Sequence, residues 1–554
     1  MKLRNAEEKF GSADFATISE IKKAGLLNGK GLPIGYTRER NLEQLCISKE
    51  YSTFNCGTSG SGKGSTRISR ELLDNSFNLV TVDAKPELRH IAGLNVGADI
   101  YSLNGYGVGC EAPWFVPQHS LDVFAFIDPL NPSFFEDVLL MAMSIAEKPK
   151  GNGGGNSEHF YQKTLSLIQA VLMDGKSVHK HFSPVDLKHV VDDIQTGSGE
   201  FFNFHIDRMK RSPYSTVSAV ARELESKAQM VPAEFGSIMS TASVALRPFG
   251  SPAIQSMFAS PSTITPKEFV SGDRPKQLYI MFPEYAIEQA SAPIRIIATA
   301  IFVEQQRNPV RPLRFLFDEA FILGNFHLIP KICYLGRGYK ATCDIFLQNY
   351  GQLLDCYGEN LADTILSNCP YKLILGVASV KTAKFVSEQL GQSTYRFLPK
   401  SKRNEAAFRR SQAIQKMMGD GEFTASMLEV MKQSEALHIP DSVARPLMQP
   451  DEIIRRPNDM GLLLTQGLGL KPVQTQQRHY FLDRHLAPLY LPNPQHPPYD
   501  RIYVPNRFGR LKPVKIISEK VPSEIAHLPQ YAFNEMWSYP EGFNPLKRKR
   551  FGLF

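Results

Sequence analysis

The chain lacks the cysteine spacing that marks a disulfide framework or a structural zinc site. Its seven cysteines are scattered along the sequence, and none falls in a CxxC pair. We therefore expect reduced thiols, most of them buried. The seven are Cys46, Cys56, Cys110, Cys333, Cys343, Cys356 and Cys369.

The chain also lacks a long apolar run. The best stretch, 138–146, falls far short of the roughly 20 residues that span a bilayer. The amino terminus has no apolar stretch of the kind found in a signal peptide. The sequence therefore predicts a cytoplasmic chain with no transmembrane segment.

Charge of one sign is not concentrated in any tail. The 63 basic and 55 acidic residues give a net charge of +8, spread over the chain. This mildly basic balance fits a partner with phosphates or an acidic surface, although many unrelated enzymes share it. Apolar residues make up 42% and charged residues 21% of the 554 positions, which predicts a globular protein. Its length predicts two or three modules.

What the chain does contain is a glycine-rich turn between a strand pattern, 51–56, and a helical pattern, 66–78. In this order the elements form a phosphate-binding loop, where backbone N–H groups and the helix dipole hold phosphates. Lys63 is spaced to reach the β- and γ-phosphates. An incidental lysine in a flexible turn is the alternative. The predicted nucleotide-binding residues are Gly57, Thr58, Ser59, Gly60, Ser61, Gly62, Lys63, Gly64 and Ser65.

One position of this loop departs from the usual pattern. Gly64 stands directly after the lysine, where a serine or threonine usually ligates Mg²⁺. Ser65 is the next hydroxyl, but on a helix its side chain points about 100° away. We therefore expect Ser65 to be a poor metal ligand, and the sequence leaves open which hydroxyl, if any, binds Mg²⁺.

A second motif is the apolar run 313–317, which ends in two carboxylates, Asp318 and Glu319. Ligands bind at the carboxyl ends of strands in open α/β sheets, so we expect both acids at the edge that carries the phosphate loop. We predict that Asp318 holds Mg²⁺, directly or through water, and that Glu319 polarises the attacking water. Taken alone, the pair could equally be a solvated acidic turn.

Three further features have two interpretations each. Gln348 ends the strand pattern 344–347 and could sense the γ-phosphate or position water, or be an ordinary polar strand end. Arg337 lies on a glycine-flanked turn and could be an arginine finger for a neighbouring subunit, or a surface cation at a helix end. The stretch 83–87 could contact nucleotide, but we expect it to cap a helix.

Two basic clusters, 208–211 and 547–550, could meet nucleic-acid phosphates. Charge runs of this kind are usually solvated faces, and we favour that interpretation.

Strand patterns alternate with helical ones on both sides of a helix-rich block at 132–262. This arrangement predicts a mostly parallel, doubly wound α/β sheet with an inserted all-α domain. The predicted segments are an N-terminal segment (1–45), the two parts of the nucleotide-binding domain (46–131 and 263–400), the insertion (132–262), and a peripheral C-terminal part and extension (401–554).

In order and spacing, these motifs resemble the VirD4/TraG family, the coupling-protein ATPases of type IV secretion and conjugation systems. The resemblance runs from Gly11 to Leu482, and the Gly-Lys-Gly form of the phosphate loop is itself a variant found in that family. It is also carried by the stretches 20–26, 82–88, 317–324, 336–339, 348–358, 365–369, 376–383 and 390–391.

The resemblance implies a RecA-like P-loop domain, similar to the FtsK/HerA motors, with ATP and Mg²⁺ as cofactors. It implies a homohexamer that hydrolyses ATP at subunit interfaces, with Arg337 as the interface arginine finger and the block 132–262 reading substrates. The partners it implies are DNA bound without sequence preference, relaxase or effector proteins, and components of the secretion channel at the cytoplasmic face of the bacterial inner membrane.

Most members of that family begin with transmembrane helices, whereas this chain starts almost directly at the cytosolic segment. We expect either a separate membrane-anchor subunit or a member of a soluble subset. The sequence predicts an ATP-driven coupling protein that delivers DNA or protein to a type IV secretion apparatus. The alternatives are a cytosolic HerA/FtsK-like DNA translocase and a non-hydrolysing docking adaptor, and the intact Lys63, Asp318 and Glu319 argue against the adaptor.

Overall fold

The computed structural model of the chain describes most of its length. The described ranges are 11–39, 42–109, 116–148, 155–397, 399–419, 423–436, 441–506, 508–531 and 535–539. The predicted basic cluster at 547–550 and the thiol of Cys110 lie outside these ranges.

A mixed sheet of eleven strands forms the centre of the described structure, in the order β2-β1-β13-β12-β9-β3-β8-β7-β4-β6-β5. The strands are β1 (Leu32–Tyr36), β2 (Gln44–Ile47), β3 (Thr53–Cys56), β4 (Asn78–Asp83), β5 (Asp99–Leu103), β6 (Lys276–Met281), β7 (Leu313–Phe317), β8 (Ala341–Leu347), β9 (Tyr371–Ile374), β10 (Gln392–Phe397), β11 (Asp441–Pro446), β12 (Met460–Thr465), β13 (Val473–Gln476), β14 (Arg501–Pro505), β15 (Leu511–Lys515), β16 (Ile517–Lys520) and β17 (Glu535–Ser538). The strands outside the sheet pair as β10 with β11, β14 with β15, and β16 with β17.

The seven strands from β9 to β5 are parallel, which confirms the predicted doubly wound arrangement. Successive side chains of a strand point to opposite faces of a sheet. On β7, Phe315 and Phe317 accordingly belong to one buried apolar cluster and Leu316 to another. Both faces of the sheet are therefore covered, which is why these strands read as continuous apolar runs.

Four antiparallel strands extend this parallel core beyond β9. Two of them, β1 and β2, come from the segment before residue 48, and two, β12 and β13, come from the segment after residue 459. The interpretation of the C-terminal part as peripheral is therefore corrected for 460–476, where Leu462, Leu463 and Val473 are fully buried.

The helices cover the sheet and form a block between β5 and β6. They are α1 (Ile18–Lys23), α2 (Ser69–Glu71), α3 (Leu88–Ile91), α4 (Phe134–Ile145), α5 (Gly155–Val178), α6 (Pro184–Gln195), α7 (Glu200–Lys210), α8 (Ser215–Met230), α9 (Pro232–Leu246), α10 (Pro252–Met257), α11 (Pro266–Val270), α12 (Ser291–Arg307), α13 (Leu328–Leu335), α14 (Tyr350–Ser367), α15 (Val380–Leu390), α16 (Lys400–Gly419), α17 (Phe423–Ala436) and α18 (Pro450–Ile454).

The helices α4 to α9 form the block, and their apolar faces share one buried cluster with the sheet. Local signals set some of their ends: Ser183 caps α6 in a reciprocal box with Asp186, and proline follows at the first helical position. In the basic cluster of α7, Arg208 pairs with Asp174 and Lys210 with Glu225. These pairs favour the interpretation of that cluster as a structural face.

Two other features of the fold bear on the predictions. The helix after the phosphate loop ends at Glu71, so it is shorter than the helix that the pattern 66–78 predicts. Among the described residues, no helix combines the length and the apolarity needed to cross a membrane.

Candidate nucleotide-binding site

The phosphate loop connects β3 to a helix that begins at Lys63. Its glycines are required by the local geometry. A Cβ atom on Gly57 would lie 2.7 Å from Ser61 Oγ and 2.9 Å from Leu375 Cβ. Gly60 and Gly62 have φ angles of 77° and 83°, the left-handed conformation that side chains disfavour. The loop therefore folds back tightly: the Ser61 N–H donates to Thr58 O within it, and the Thr58 N–H donates to Gly376 O.

Two buried polar groups of the loop have no hydrogen-bond partner. They are Ser61 Oγ and Lys63 Nζ, on residues that are 3% and 8% exposed. Buried polar groups are normally hydrogen-bonded, so orphans of this kind indicate a missing ligand. An anionic group bound in the loop would satisfy both.

The helix after the loop begins as a π-helix over Lys63–Ile68 and continues as α2. The first two hydroxyls of this helix already have hydrogen-bond partners. Ser65 Oγ lies 2.7 Å from His479 Nδ1, and Thr66 Oγ1 donates to Gly62 O at 2.8 Å. His479 comes from the segment after β13, so sequence reasoning gave no signal for this contact.

The acidic pair follows β7, two strands away from β3. Asp318 is largely enclosed, and burial, reinforced by the charge of Glu319, raises its pKa to about 6. Glu319 has a φ angle of 58°, an uncommon conformation for a residue with a side chain. In this conformation Glu319 Oε1 lies 3.5 Å from Lys63 Nζ. The phosphate loop and the acidic pair thus meet at one edge of the sheet.

Gln348 joins the same group. Its strand, β8, lies between β3 and β7, so the carboxyl ends of all three strands are adjacent. Gln348 Nε2 is 3.2 Å from each carboxylate oxygen of Glu319, and the backbone N–H of Gln348 donates to Gln352 Oε1 at 2.8 Å. The side-chain amide of Gln348 therefore orients the Glu319 carboxylate, and the backbone of Gln348 is fixed by Gln352.

Arg337 is not part of this group. It lies on a 3₁₀ turn, Gly336–Tyr339, that precedes β8, so it stands at the amino end of the strands, opposite the phosphate loop. Its guanidinium packs 4.7 Å from the centre of the Tyr51 ring and pairs with Glu50 at 3.3 Å. The side chain is 62% exposed. Within one chain it cannot reach the nucleotide site.

The stretch 83–87 connects the end of β4 to α3 and lies beside the loop. Asp83 accepts hydrogen bonds from the backbone N–H groups of Glu87 and Arg89, both at 3.0 Å, as expected for a capping role. Burial nevertheless raises the pKa of Asp83 to about 7. The Glu87 side chain is free of capping and accepts a 2.6 Å hydrogen bond from Asn493 Nδ2.

A buried ionic cluster joins the loop helix to β7 and β8, and it was not predicted from the sequence. It consists of Arg67 and Glu71 on the loop helix, Arg314 on β7 and Asp344 on β8, all at most 1% exposed. Burial raises the pKa of Glu71 to about 7. For Asp344, burial raises the pKa, but the charges of Arg314 and Arg67 have the larger combined effect. The pKa of Asp344 is therefore lowered. In the sequence, this cluster is indicated only by the charged residues Arg314 and Asp344, which stand inside otherwise apolar strands.

Comparison with known proteins finds a matching family and related sequences. Residues 14–418 match the family described as "Type IV secretory system Conjugative DNA transfer". The type IV secretion system-coupling protein VirD4 of Bartonella henselae is 23% identical over 180 residues, covering 32% of this chain and 26% of that protein. The VirD4 protein of Bartonella quintana is 25% identical over 140 residues, covering 25% and 20%. The matched part of this chain thus spans about a quarter of these relatives' length.

Solved structures of the plasmid coupling protein TrwB have the same fold. The complex of TrwB with ADP and Mg²⁺ aligns with a TM-score of 0.55 at 14% identity, covering 84% of this chain and 94% of TrwB. The complex with a non-hydrolysable ATP analogue aligns with a TM-score of 0.56 at 15% identity, covering 85% and 96%. The predicted RecA-like P-loop fold is thereby confirmed.

Proposed function

The chain belongs to the type IV secretory system conjugative DNA transfer family, and from that premise we propose that it is an ATP-hydrolysing coupling protein. In this proposal it recruits DNA, relaxase–DNA complexes or effector proteins and drives them into a type IV secretion apparatus. The observation that carries the proposal is the meeting of Lys63, Glu319 and Gln348 at the phosphate loop.

The residues of the site have distinct roles in this proposal. The loop N–H groups and Lys63 hold the phosphates of ATP, which accounts for the missing hydrogen-bond partners of Lys63 Nζ and Ser61 Oγ. Glu319 accepts a hydrogen bond from the attacking water, and Gln348 fixes the direction of its carboxylate.

The donor set also fits Mg²⁺, which prefers carboxylate oxygens, waters and nucleotide phosphates. Asp318 would hold it from the end of β7. Bound there, the ion neutralises charge that develops on the β- and γ-phosphates. The relative TrwB was solved with ADP and Mg²⁺, which supports both cofactors for this chain.

Arg337 acts in the proposal on the nucleotide of a neighbouring subunit. Its exposure and its position at the amino ends of the strands support a role in trans. An arginine supplied in this way stabilises the charge of the transition state. The arrangement requires an oligomer, and we propose a homohexamer at the cytoplasmic face of the inner membrane.

The test of the coupling role is complementation of DNA transfer. A donor strain from which the gene has been deleted should lose transfer, and the unmodified gene should restore it. Glu319→Gln should not restore transfer, whereas Glu136→Gln, a substitution on the exposed side of α4, should. Undiminished transfer from the deletion strain would contradict the proposal.

A further inference from the structure

The phosphate loop lacks the hydroxyl that usually binds Mg²⁺. Gly64 holds that position, and the two hydroxyls that follow, on Ser65 and Thr66, are already engaged with His479 and Gly62 O. A carboxylate on the loop side would complement Asp318 in holding the ion, because Mg²⁺ binds through one or two carboxylates together with waters and phosphates.

Glu87 borders the space that a side chain at residue 64 would occupy. A Cβ atom on Gly64 would lie 3.4 Å from Glu87 Oε1, which is the nearest atom to it among the described residues outside the loop helix's own backbone. The other oxygen, Oε2, is fixed by the 2.6 Å hydrogen bond from Asn493 Nδ2. The carboxylate is therefore held with Oε1 towards the loop.

The Glu87 side chain takes no part in capping α3, so its carboxylate is available for a ligand.

An independent observation indicates that the phosphate loop binds a ligand. Lys63 Nζ and Ser61 Oγ are buried at the same loop and lack hydrogen-bond partners. Among the described residues, no group of three or more His, Cys, Asp or Glu side chains could hold a metal ion. Mg²⁺ does not need such a group, because it keeps several waters and binds through one or two carboxylates together with substrate phosphates.

We propose that Glu87 takes the place of the missing loop hydroxyl and, together with Asp318, would hold nucleotide-bound Mg²⁺ through water. Asn493 is a positioning residue that orients the Glu87 carboxylate. The inference rests on the proposed function only in assuming that the loop binds ATP with Mg²⁺.

A carboxylate in place of a hydroxyl has an electrostatic consequence. Without Mg²⁺, the negative charge of Glu87 repels the triphosphate, and with Mg²⁺ it attracts the ion. Removing the charge by Glu87→Gln should therefore strengthen ATP binding in EDTA and weaken it in Mg²⁺. A purely structural role of Glu87 would change both affinities in the same direction.

The experiment measures the dissociation constant of a fluorescent ATP analogue in EDTA and across a Mg²⁺ titration. Glu87→Gln should reduce the gain in affinity that Mg²⁺ provides by about tenfold or more, the usual effect of losing an outer ligand. Adding Gly64→Ser to this variant should restore part of the gain, because the backbone at residue 64 accepts a side chain. The matched double variant with Gly64→Ala should not.

An unchanged Mg²⁺-dependent gain in Glu87→Gln, or an equal loss of affinity in EDTA and in Mg²⁺, would overturn the inference. Thermal unfolding of each variant checks that the fold is intact, and Glu136→Gln serves as the neutral control. The measurement reads binding alone, so it retains its meaning for a chain that binds ATP but drives no DNA transfer. An unmodified chain that binds no nucleotide would contradict both the inference and the proposed function.

Discussion

Gln348 Nε2 lies 3.2 Å from both carboxylate oxygens of Glu319, across the ends of two neighbouring parallel strands. The opposite side of the carboxylate faces Lys63 Nζ at 3.5 Å. A residue of the strand between the phosphate loop and the acidic pair thus orients the group proposed to act on water. Lys63, Glu319 and Gln348 thus form one connected group of side chains.

Loss of the Gln348 amide should impair the chemical step more than binding. Gln348→Ala should lower kcat for ATP hydrolysis by about a hundredfold, because a misdirected Glu319 no longer aligns the attacking water. The KM for ATP should change by less than about threefold, because Gln348 does not contact the loop. Steady-state kinetics measure both, with Gln162→Ala on α5 as the control. If Gln348→Ala lowers kcat/KM only by raising KM and leaves kcat unchanged, the proposed role of Gln348 is contradicted.

The pKa of Asp318 makes the stability of the nucleotide-free protein depend on pH. The folded state holds the proton up to about pH 6, whereas an unfolded aspartate releases it near 3.8. Asp318 therefore costs no stability below about pH 4 and destabilises the fold increasingly as the pH rises through 6, by at most about 3 kcal/mol. Relative to the unmodified protein, Asp318→Asn should gain stability over this range.

Thermal unfolding midpoints between pH 4.5 and 7.5 test this expectation. The difference between the Asp318→Asn variant and the unmodified protein should grow with pH, while the difference for Glu136→Gln stays constant. A constant difference for Asp318→Asn would mean that the carboxyl group titrates normally. The comparison is needed because Asp83 and Glu71, whose pKa values are also raised to about 7, titrate in the same range.

The position of Arg337 predicts complementation between inactive subunits. Arg337→Ala should lose most ATP hydrolysis, by about a thousandfold for a finger in trans, and should keep its affinity for ATP. Glu319→Gln should behave likewise. Mixed oligomers should recover activity, because some interfaces combine an intact Glu319 with an intact Arg337. Arg211→Ala is the control for loss of an exposed arginine.

Recovery should depend on the mixing ratio and reach its maximum near equal amounts. If Arg337→Ala hydrolyses ATP at the normal rate, or if the mixture stays as inactive as its components, the arginine does not act between subunits.

The buried ionic cluster predicts a large effect on stability. Replacing Arg314 by Met leaves Asp344 and Glu71 as buried carboxylates that face Arg67 alone. Breaking a buried pair in this way typically destabilises by about 3–5 kcal/mol. The melting temperature should fall clearly, whereas Arg337→Ala, which removes an exposed pair, should leave it nearly unchanged. A melting temperature unchanged by Arg314→Met would show that the cluster contributes little.

The parallel core of the fold could be predicted because each strand is a short, continuous apolar run that stands between helical patterns. The rule that parallel strands present their carboxyl ends at one edge then brought Lys63, Glu319 and Gln348 together. The strands β12 and β13 could not be predicted, because their short runs follow proline-rich, polar sequence and pair with strands that are distant along the chain.

Contacts between distant segments account for the rest of what the sequence did not reveal. Arg314 and Asp344 lie in otherwise apolar strands, and nothing local indicates that Arg67 and Glu71 neutralise them. The same holds for His479 at Ser65 and for Glu87 beside Gly64, which depend on how the C-terminal segment and α3 pack around the loop.

The most direct test of the central claim is ATP turnover by the unmodified chain and by Glu319→Gln, at protein concentrations that favour oligomers, with and without single-stranded and double-stranded DNA. The unmodified chain should hydrolyse ATP, faster in the presence of DNA, and Glu319→Gln should bind ATP normally without turning it over. No turnover above background under any of these conditions, or undiminished turnover by Glu319→Gln, would contradict the account of the site as an ATP-hydrolysing centre.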